Sequence, residues 1–270
     1  MVEDVPHLGN DLCRTLRPGC WRWTIKLLPL LSALVLMAYM VAVWGGAQYR
    51  SIRSIVAHHG SVILQAAPFQ KVLVDKETWG DWHWGVPLAT LLLPAESVFL
   101  GPRCKNADIR SLEPLHFLVK LTILRLQVSK RGMQVVGQLH TLQSLIISGA
   151  DIGDRGIISI EGLTRLRRLD LDDTNVDGKV TRFLVAFANL RRLSLAGDDI
   201  KNADLRELVK LRKLKSLDLA YTHISDTGLR WVRQMPGLQM LILTHTQCTR
   251  KGIAALLRRK PGLRVRVGML

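Results

Sequence analysis

The chain has 270 residues, a formal net charge of +16 and four cysteines. Cys13, Cys20, Cys104 and Cys248 show no C-x-x-C spacing, which excludes zinc-ribbon and thioredoxin-like readings. The charge is uneven: residues 1–26 carry +1, residues 27–100 are neutral, and residues 101–270 carry the remaining +15.

Residues 1–26 read as a leader. The run from Leu27 to Ala47 has no charged residue, and as a helix its 21 residues would span ~30 Å, the thickness of a bilayer core. Trp21, Trp23, Trp44 and Tyr49 flank it as interfacial aromatics do. The run is longer than a typical signal-peptide core, so an uncleaved anchor is preferred over a cleaved signal. Arg14, Arg17, Arg22 and Lys26 before the run outweigh Arg50 and Arg53 after it. That favours a cytoplasmic N-terminus with the rest outside, on the periplasmic side in a bacterium.

Residues 48–96 read as a linking helix and an N-terminal cap. Ile52, Ile55 and Val56 share one helical face, Gly60 is placed to end the helix, and Ser61–Gln65 is β-prone. The cluster Trp79-Gly80-Asp81-Trp82-His83-Trp84 reads as ring packing over the end of a core or at an interface, against an aromatic binding patch.

From residue 97 a Leu-x-x-Leu-x-Leu motif recurs: Leu121/Leu124/Leu126, Leu142/Leu145/Ile147, Leu166/Leu169/Leu171, Leu190/Leu193/Leu195, Leu214/Leu217/Leu219 and Leu238/Leu241/Leu243. The first leucines are 21 and then 24 residues apart, so the first unit reads as three residues short. A period in the twenties means a solenoid of stacked units, none of which can bury its leucines alone. The alternating end of each motif predicts a strand with one face buried. Ile152, Val176, Ile200, Ile224 and Cys248 follow five residues later, and Cys104 is expected in a similar buried place. Asp154, Asn202 and Asp226 stand two residues further on, where they are expected to cap a return helix. The last copy, Leu263 to Val267, is reduced to alternation, as a terminal unit can be.

These residues carry a resemblance. The motif and the phrases ADIGDRGI, TNVDG and THISDTGL resemble leucine-rich-repeat proteins of the ~24-residue, ribonuclease-inhibitor-like class, in the form of bacterial single-pass membrane proteins. The resemblance implies an α/β, right-handed solenoid, with parallel strands on the concave face and short helices on the convex face, preceded by one transmembrane helix. It implies a recognition scaffold whose partner varies freely.

Alternation places candidate partner contacts on the concave face: Arg125, Ile146, Arg168, Asp170, Asp172, Arg192, Ser194, Asp218, Met240 and Ile242. Ile123 is read as facing outward with them. A polar centre with apolar ends suits an unidentified protein or peptide, against the plainer reading of a solvated sheet. Basic residues gather between helix ends and strand starts, as a ridge of Arg165, Arg167, Arg191, Arg212, Lys213, Lys215, Arg258, Arg259 and Lys260. Complementing helix dipoles explains such placement but not so large an excess, so binding of anionic lipid or polymer is the second reading. Nucleic acid is disfavoured, because no nucleic-acid motif is present. A ubiquitin-ligase-like substrate receptor ranks last, because no F-box-like segment precedes the repeats. His58, His59 and His83 have no partners at ligand spacing, and the Asp172-Asp173 and Asp198-Asp199 pairs read as turn and cap residues. No phosphate loop, nucleophile elbow or metalloprotease helix occurs. The reading is therefore of a protein that is not an enzyme, with no metal and no cofactor.

Overall fold

Helix α1 (46–57) opens the part of the chain that can be described. The structure is a computed structural model that describes residues 46–67, 70–74 and 95–268. The leader, residues 27–45 of the apolar run, and the Trp79–Trp84 cluster lie outside these residues. In α1 the spacing of Ile52, Ile55 and Val56 works as expected: all three are buried, with Arg50 and Arg53 exposed opposite them. The Gly60 N–H closes the helix on the Ile55 carbonyl at 2.9 Å. The left-handed turn is taken by His59 (φ 62°) rather than by Gly60. Gly60 is needed for closeness, since a Cβ there would lie 2.6 Å from Ile55 Cγ2.

This corrects the expected single-pass membrane localisation. Among the described residues no helix is long and apolar enough to cross a membrane. Past the end of the apolar run, α1 turns Ile52, Ile55 and Val56 into the protein core and Arg50 and Arg53 to water.

Strand β1 (Ser61–Ala67) forms a hairpin with β2 (Gln70–Val74) and pairs antiparallel with β3 (Ala95–Leu100) on its other side. From β3 onward every pairing is parallel and in sequence order: β4 (Lys120–Leu124), β5 (Ser144–Ser148), β6 (Arg168–Asp172), β7 (Arg192–Ser194), β8 (Ser216–Asp218), β9 (Met240–Ile242) and β10 (Arg264–Arg266). Leu121, Leu145, Leu169, Leu193, Leu217 and Leu241 stand in one row across this ladder, and all are buried. This is the shared interior that the repeat demands.

The register of the first unit differs from the sequence reading. Leu118, Leu121 and Ile123 are the inward set, each 0% exposed, while Leu124 is half-buried. Ile123 pairs with the buried Ile147. Both Leu118-x-x-Leu121-x-Ile123 and Leu121-x-x-Leu124-x-Leu126 fit the motif. Only the first puts Val128 five residues on, matching Ile152 and Val176, and only it restores the 24-residue spacing to Leu142. The unit is not short. An earlier copy, Ala95, Val98 and Leu100, is buried on β3.

The return segments are α2 (Asn106–Arg110), α3 (Lys130–Gly137), α4 (Gly153–Ser159), a 3-10 turn at Gly178–Val180 running into α5 (Thr181–Leu184), α6 (Leu205–Leu208), α7 (Leu229–Gln234) and α8 (Arg250–Arg259). Side-chain caps are Ser129 and Thr249, whose hydroxyls accept from Gly132 N at 3.2 Å and Gly252 N at 3.0 Å, and Asp177, whose carboxylate accepts from Lys179 N at 2.7 Å at the start of the 3-10 turn. The Asx residues expected as caps reach instead into the next unit. Asp154, Asn202 and Asp226 accept the backbone N–H of Asp177, Ser225 and Thr249 at 2.8–3.1 Å, and Asn106 does the same for Ser129 at 2.8 Å. A β-carbon at Gly252 would lie 2.0 Å from Asp226 Oδ1, so glycine there makes room for the neighbour's carboxylate.

Candidate functional site

Alternation along each strand leaves two outward positions, and stacking turns them into columns. One runs Lys120, Ser144, Arg168, Arg192, Ser216, Met240, Arg264, and the next runs Thr122, Ile146, Asp170, Ser194, Asp218, Ile242, Arg266. Over β6 to β10 these side chains wall a hollow of about 990 Å³. Its lining includes Arg168, Asp170, Asp172, Arg192, Ser194, Asp218, Met240, Ile242 and Arg264.

Two of the candidate face residues are not part of it. Ile146 is outward and half-buried but lies on β5, beyond the hollow. Arg125 is not an outward strand position. It sits in the turn after β4 in the left-handed conformation (φ 50°), at the step held by Gly149 and Gly197 in later units. The shifted first register explains its misplacement.

The carboxylates of the hollow are already engaged. Asp170 accepts from Arg168 Nε at 2.9 Å and Nη2 at 2.5 Å. Asp172 accepts from the Ser194 hydroxyl, and Asp218 accepts from the Ala220 N–H at 2.9 Å. Burial pushes the Asp172 carboxyl above its ordinary range, with the neighbouring Asp170 and Asp218 charges adding to the rise. Burial raises Asp218 as well, again helped by the Asp170 charge. By contrast Arg192 and Arg264 form no ion pair among the described residues.

The ridge and the face are not separate. Arg191 and Lys215, expected on the basic ridge, line the same hollow, because the residue before each strand sits at its rim. Arg165, Arg167, Arg212, Lys213, Arg258 and Arg259 are exposed outside it. Lys213 reaches back one unit to Asn189 Oδ1 at 2.7 Å. Lys260 departs from the ridge: its ammonium donates to the carbonyls of Val232, in the last turn of α7, and Met235, just past its end, and burial pulls its pKa down. It serves as a cap, not as a surface cation.

Three features escaped the sequence reading. Asp108 is fully buried and accepts from Ser54 Oγ at 3.0 Å, from His58 Nδ1 at 2.9 Å and from Lys105 N at 2.7 Å, tying α1 to α2. Two of these partners, Ser54 and His58, lie some fifty residues away, beyond any local signal. Asp198 is also buried, with Oδ1 accepting from Thr174 N at 3.0 Å, and desolvation pushes its pKa up to about 7. The third is Tyr221 stacked on His245, ring centroids 4.6 Å apart, both in left-handed turns. The signal was readable: they occupy the step that Gly149 and Gly197 hold.

Cys104 is buried and Cys248 half-buried, both as free thiols. Among the described residues no group of three His, Cys, Asp or Glu is placed to hold a metal ion.

A family model described as "Leucine Rich repeat" matches residues 138–160 and 210–230. No curated protein matches the chain. Among solved structures it is similar to an internalin C2 of Listeria monocytogenes, with 20% identity, a TM-score of 0.46, and coverage of 58% of this chain and 65% of that one. It is also similar to the internalin InlF of the same species, with 22% identity, a TM-score of 0.48, and coverage of 64% and 54%. The chain thus spans less than two thirds of the length of either internalin. Residues 138–160 and 210–230 are thus similar to leucine-rich repeats, and both segments lie within the parallel ladder of stacked units.

Proposed function

We propose that the chain is a scaffold for protein–protein recognition, working through the outward face of β6 to β10 and performing no catalysis. One observation carries this. Arg191, Arg192, Lys215 and Arg264 converge on a single hollow beside Met240 and Ile242, and none of the four cations is neutralised within the described chain. Holding several like charges close together disfavours the free state and favours a complementary ligand. The core does not need them, because it is completed by the inward rows. Helix α1 and the β1–β2 hairpin serve in this reading as the cap at the first unit.

The test is site-specific photo-crosslinking in cells. A crosslinking side chain at Ser216, on the hollow, is expected to capture protein adducts that the same group at Arg230, exposed on α7, does not. Equal capture at both positions, or capture at Arg230 alone, rejects the reading.

Binding of anionic polymer or lipid headgroups through the ridge remains a second reading, favoured by the exposed Arg165, Arg167, Arg212, Arg258 and Arg259. It requires retention on an anionic surface that weakens steeply with salt. Nothing in the described residues favours a ubiquitin-ligase-like receptor.

A further inference from the structure

We propose that the hollow over β7 to β10 takes an extended, acidic segment of a partner protein, with one apolar side chain of that segment seated on Met240 and Ile242. This rests on the recognition reading above and names the chemistry of the partner.

The argument is one of charge and length. Arg168 is spent on Asp170, and a hydroxyl and an amide already engage Asp172 and Asp218 in hydrogen bonds of their own. Burial raises both carboxyls and the Asp170 charge beside them adds to the rise, so three carboxylates sharing one floor disfavour further negative charge there. The free valence of the site is therefore cationic and lies at its rim, on Arg191, Arg192, Lys215 and Arg264. These four sit on or just before β7, β8 and β10, across three strand spacings, or ~14 Å. An extended segment of about four or five residues covers that distance. Met240 and Ile242 on β9 lie within the same span and are half-buried and apolar.

A nucleic acid or another uniform polyanion fits less well. Asp170, Asp172 and Asp218 face the same space, so a backbone charged at every step meets repulsion where a peptide can place a neutral residue. No aromatic side chain lines the hollow to stack on a base. A peptide can alternate carboxylate, neutral and apolar side chains, which is the pattern the lining presents in reverse.

The test uses fluorescence anisotropy on the full chain. The probe is a labelled peptide of about twelve residues with spaced glutamates and a central leucine in a Gly/Ser background. Matched peptides carry glutamine or lysine in place of glutamate, and oligothymidylate of equal charge is the polyanion control. The glutamate peptide is expected to bind at least ~10-fold more tightly than the glutamine peptide. The double variant Arg191→Glu/Lys215→Glu is expected to lose that preference and to gain affinity for the lysine peptide. That exchange could not come from misfolding. Met240→Asp is expected to weaken the glutamate peptide without creating a preference for lysine. Equal binding of the glutamate and glutamine peptides, no binding of either, or tighter binding of oligothymidylate overturns the proposal. Crosslinking from Ser216 separates this failure from a failure of recognition itself. Adducts that persist unchanged in the Arg191→Glu/Lys215→Glu variant leave recognition standing and remove the acidic partner. Absence of adducts in the unaltered chain removes both.

Discussion

Strands β4 and β5 and strands β7 to β9 are built on the same buried rows, yet their other positions differ in kind. Outward, the early strands carry Lys120, Thr122, Ser144 and Ile146, while the late ones carry Arg192, Asp218, Met240 and Ile242 and wall a hollow. Inward, three residues past the motif, the early units have Leu126 and Ala150, whereas the later ones have Thr174, Asp198, Thr222 and Thr246. The threonines satisfy themselves, each hydroxyl donating to the carbonyl three residues back at 2.6–3.1 Å. The ladder therefore depends on two inward positions per strand and tolerates wide change elsewhere. Freedom at those other positions is what lets one end of a uniform stack carry a walled hollow.

The sharpest way to break this comparison is at Ile123 and Ile146, one residue type on two sides of adjacent strands. Ile123 is 0% exposed in the inward row, so Ile123→Ala should cost about 3 kcal/mol, within the range for a buried aliphatic truncation. Ile146→Ala, on the outward face, should cost about 1 kcal/mol or less. Urea denaturation of both variants decides it. Equal losses would mean that the first unit takes the register beginning at Leu121 and that inward and outward sides are not distinct.

That register also marks what the sequence could and could not reveal. The five later motifs, the parallel order and the buried row were legible, because a 24-residue period with alternating leucines has no other compact solution. The first unit was ambiguous because Leu118, Leu121, Leu124 and Leu126 satisfy the motif in two phases, and Ile123 was not counted as a leucine equivalent. Arg125 was assigned to the face by the same slip. The merging of Arg191 and Lys215 with the face was hidden, since linear spacing does not show that a residue before one strand overhangs the next. Asn202 and Asp226 were read as local caps because local spacing fits a cap. Their partners in the next unit follow only from the stack.

Asp198 sharpens the inward half of the comparison. Its folded pKa of about 7 lies above the unfolded value, so the folded state holds more protons between about pH 4 and 7. Stability should fall as pH rises through that window and level off above it. Asp198→Asn keeps the acceptor for Thr174 N and removes the buried charge. It should flatten the slope and add stability at pH 8, with about 4 kcal/mol as the upper bound from a shift of roughly three pH units. Thermal unfolding from pH 4 to 8 reads both effects. A variant with an unchanged slope would show that the carboxylate is not the titrating group. Gly252→Ala tests the neighbouring exchange between units. Its methyl would displace Asp226 from Thr249, and a loss of roughly 1–2 kcal/mol is expected, near that of a lost cap. A neutral result would mean that the Asp226 contact does not bind the units together.

The smallest effect concerns the turn that closes each strand. Its left-handed residue is Arg125, Gly149, Asp173, Gly197, Tyr221 and His245 in successive units. A side chain there meets the following carbonyl at a cost of about 1 kcal/mol that glycine avoids. Arg125 N donates to Ser148 O at 2.8 Å, a backbone bond that substitution leaves intact. Arg125→Gly should therefore gain about 0.5 kcal/mol, the relief of strain exceeding the added freedom of the unfolded chain. Tyr221→Gly relieves the same strain but gives up the ring stack on His245, so its net change should be near zero. The contrast matters more than either value. If Arg125→Gly stabilises and Tyr221→Gly does not, the late units hold the Tyr221–His245 pair through side-chain packing, at a step where the backbone alone prefers glycine.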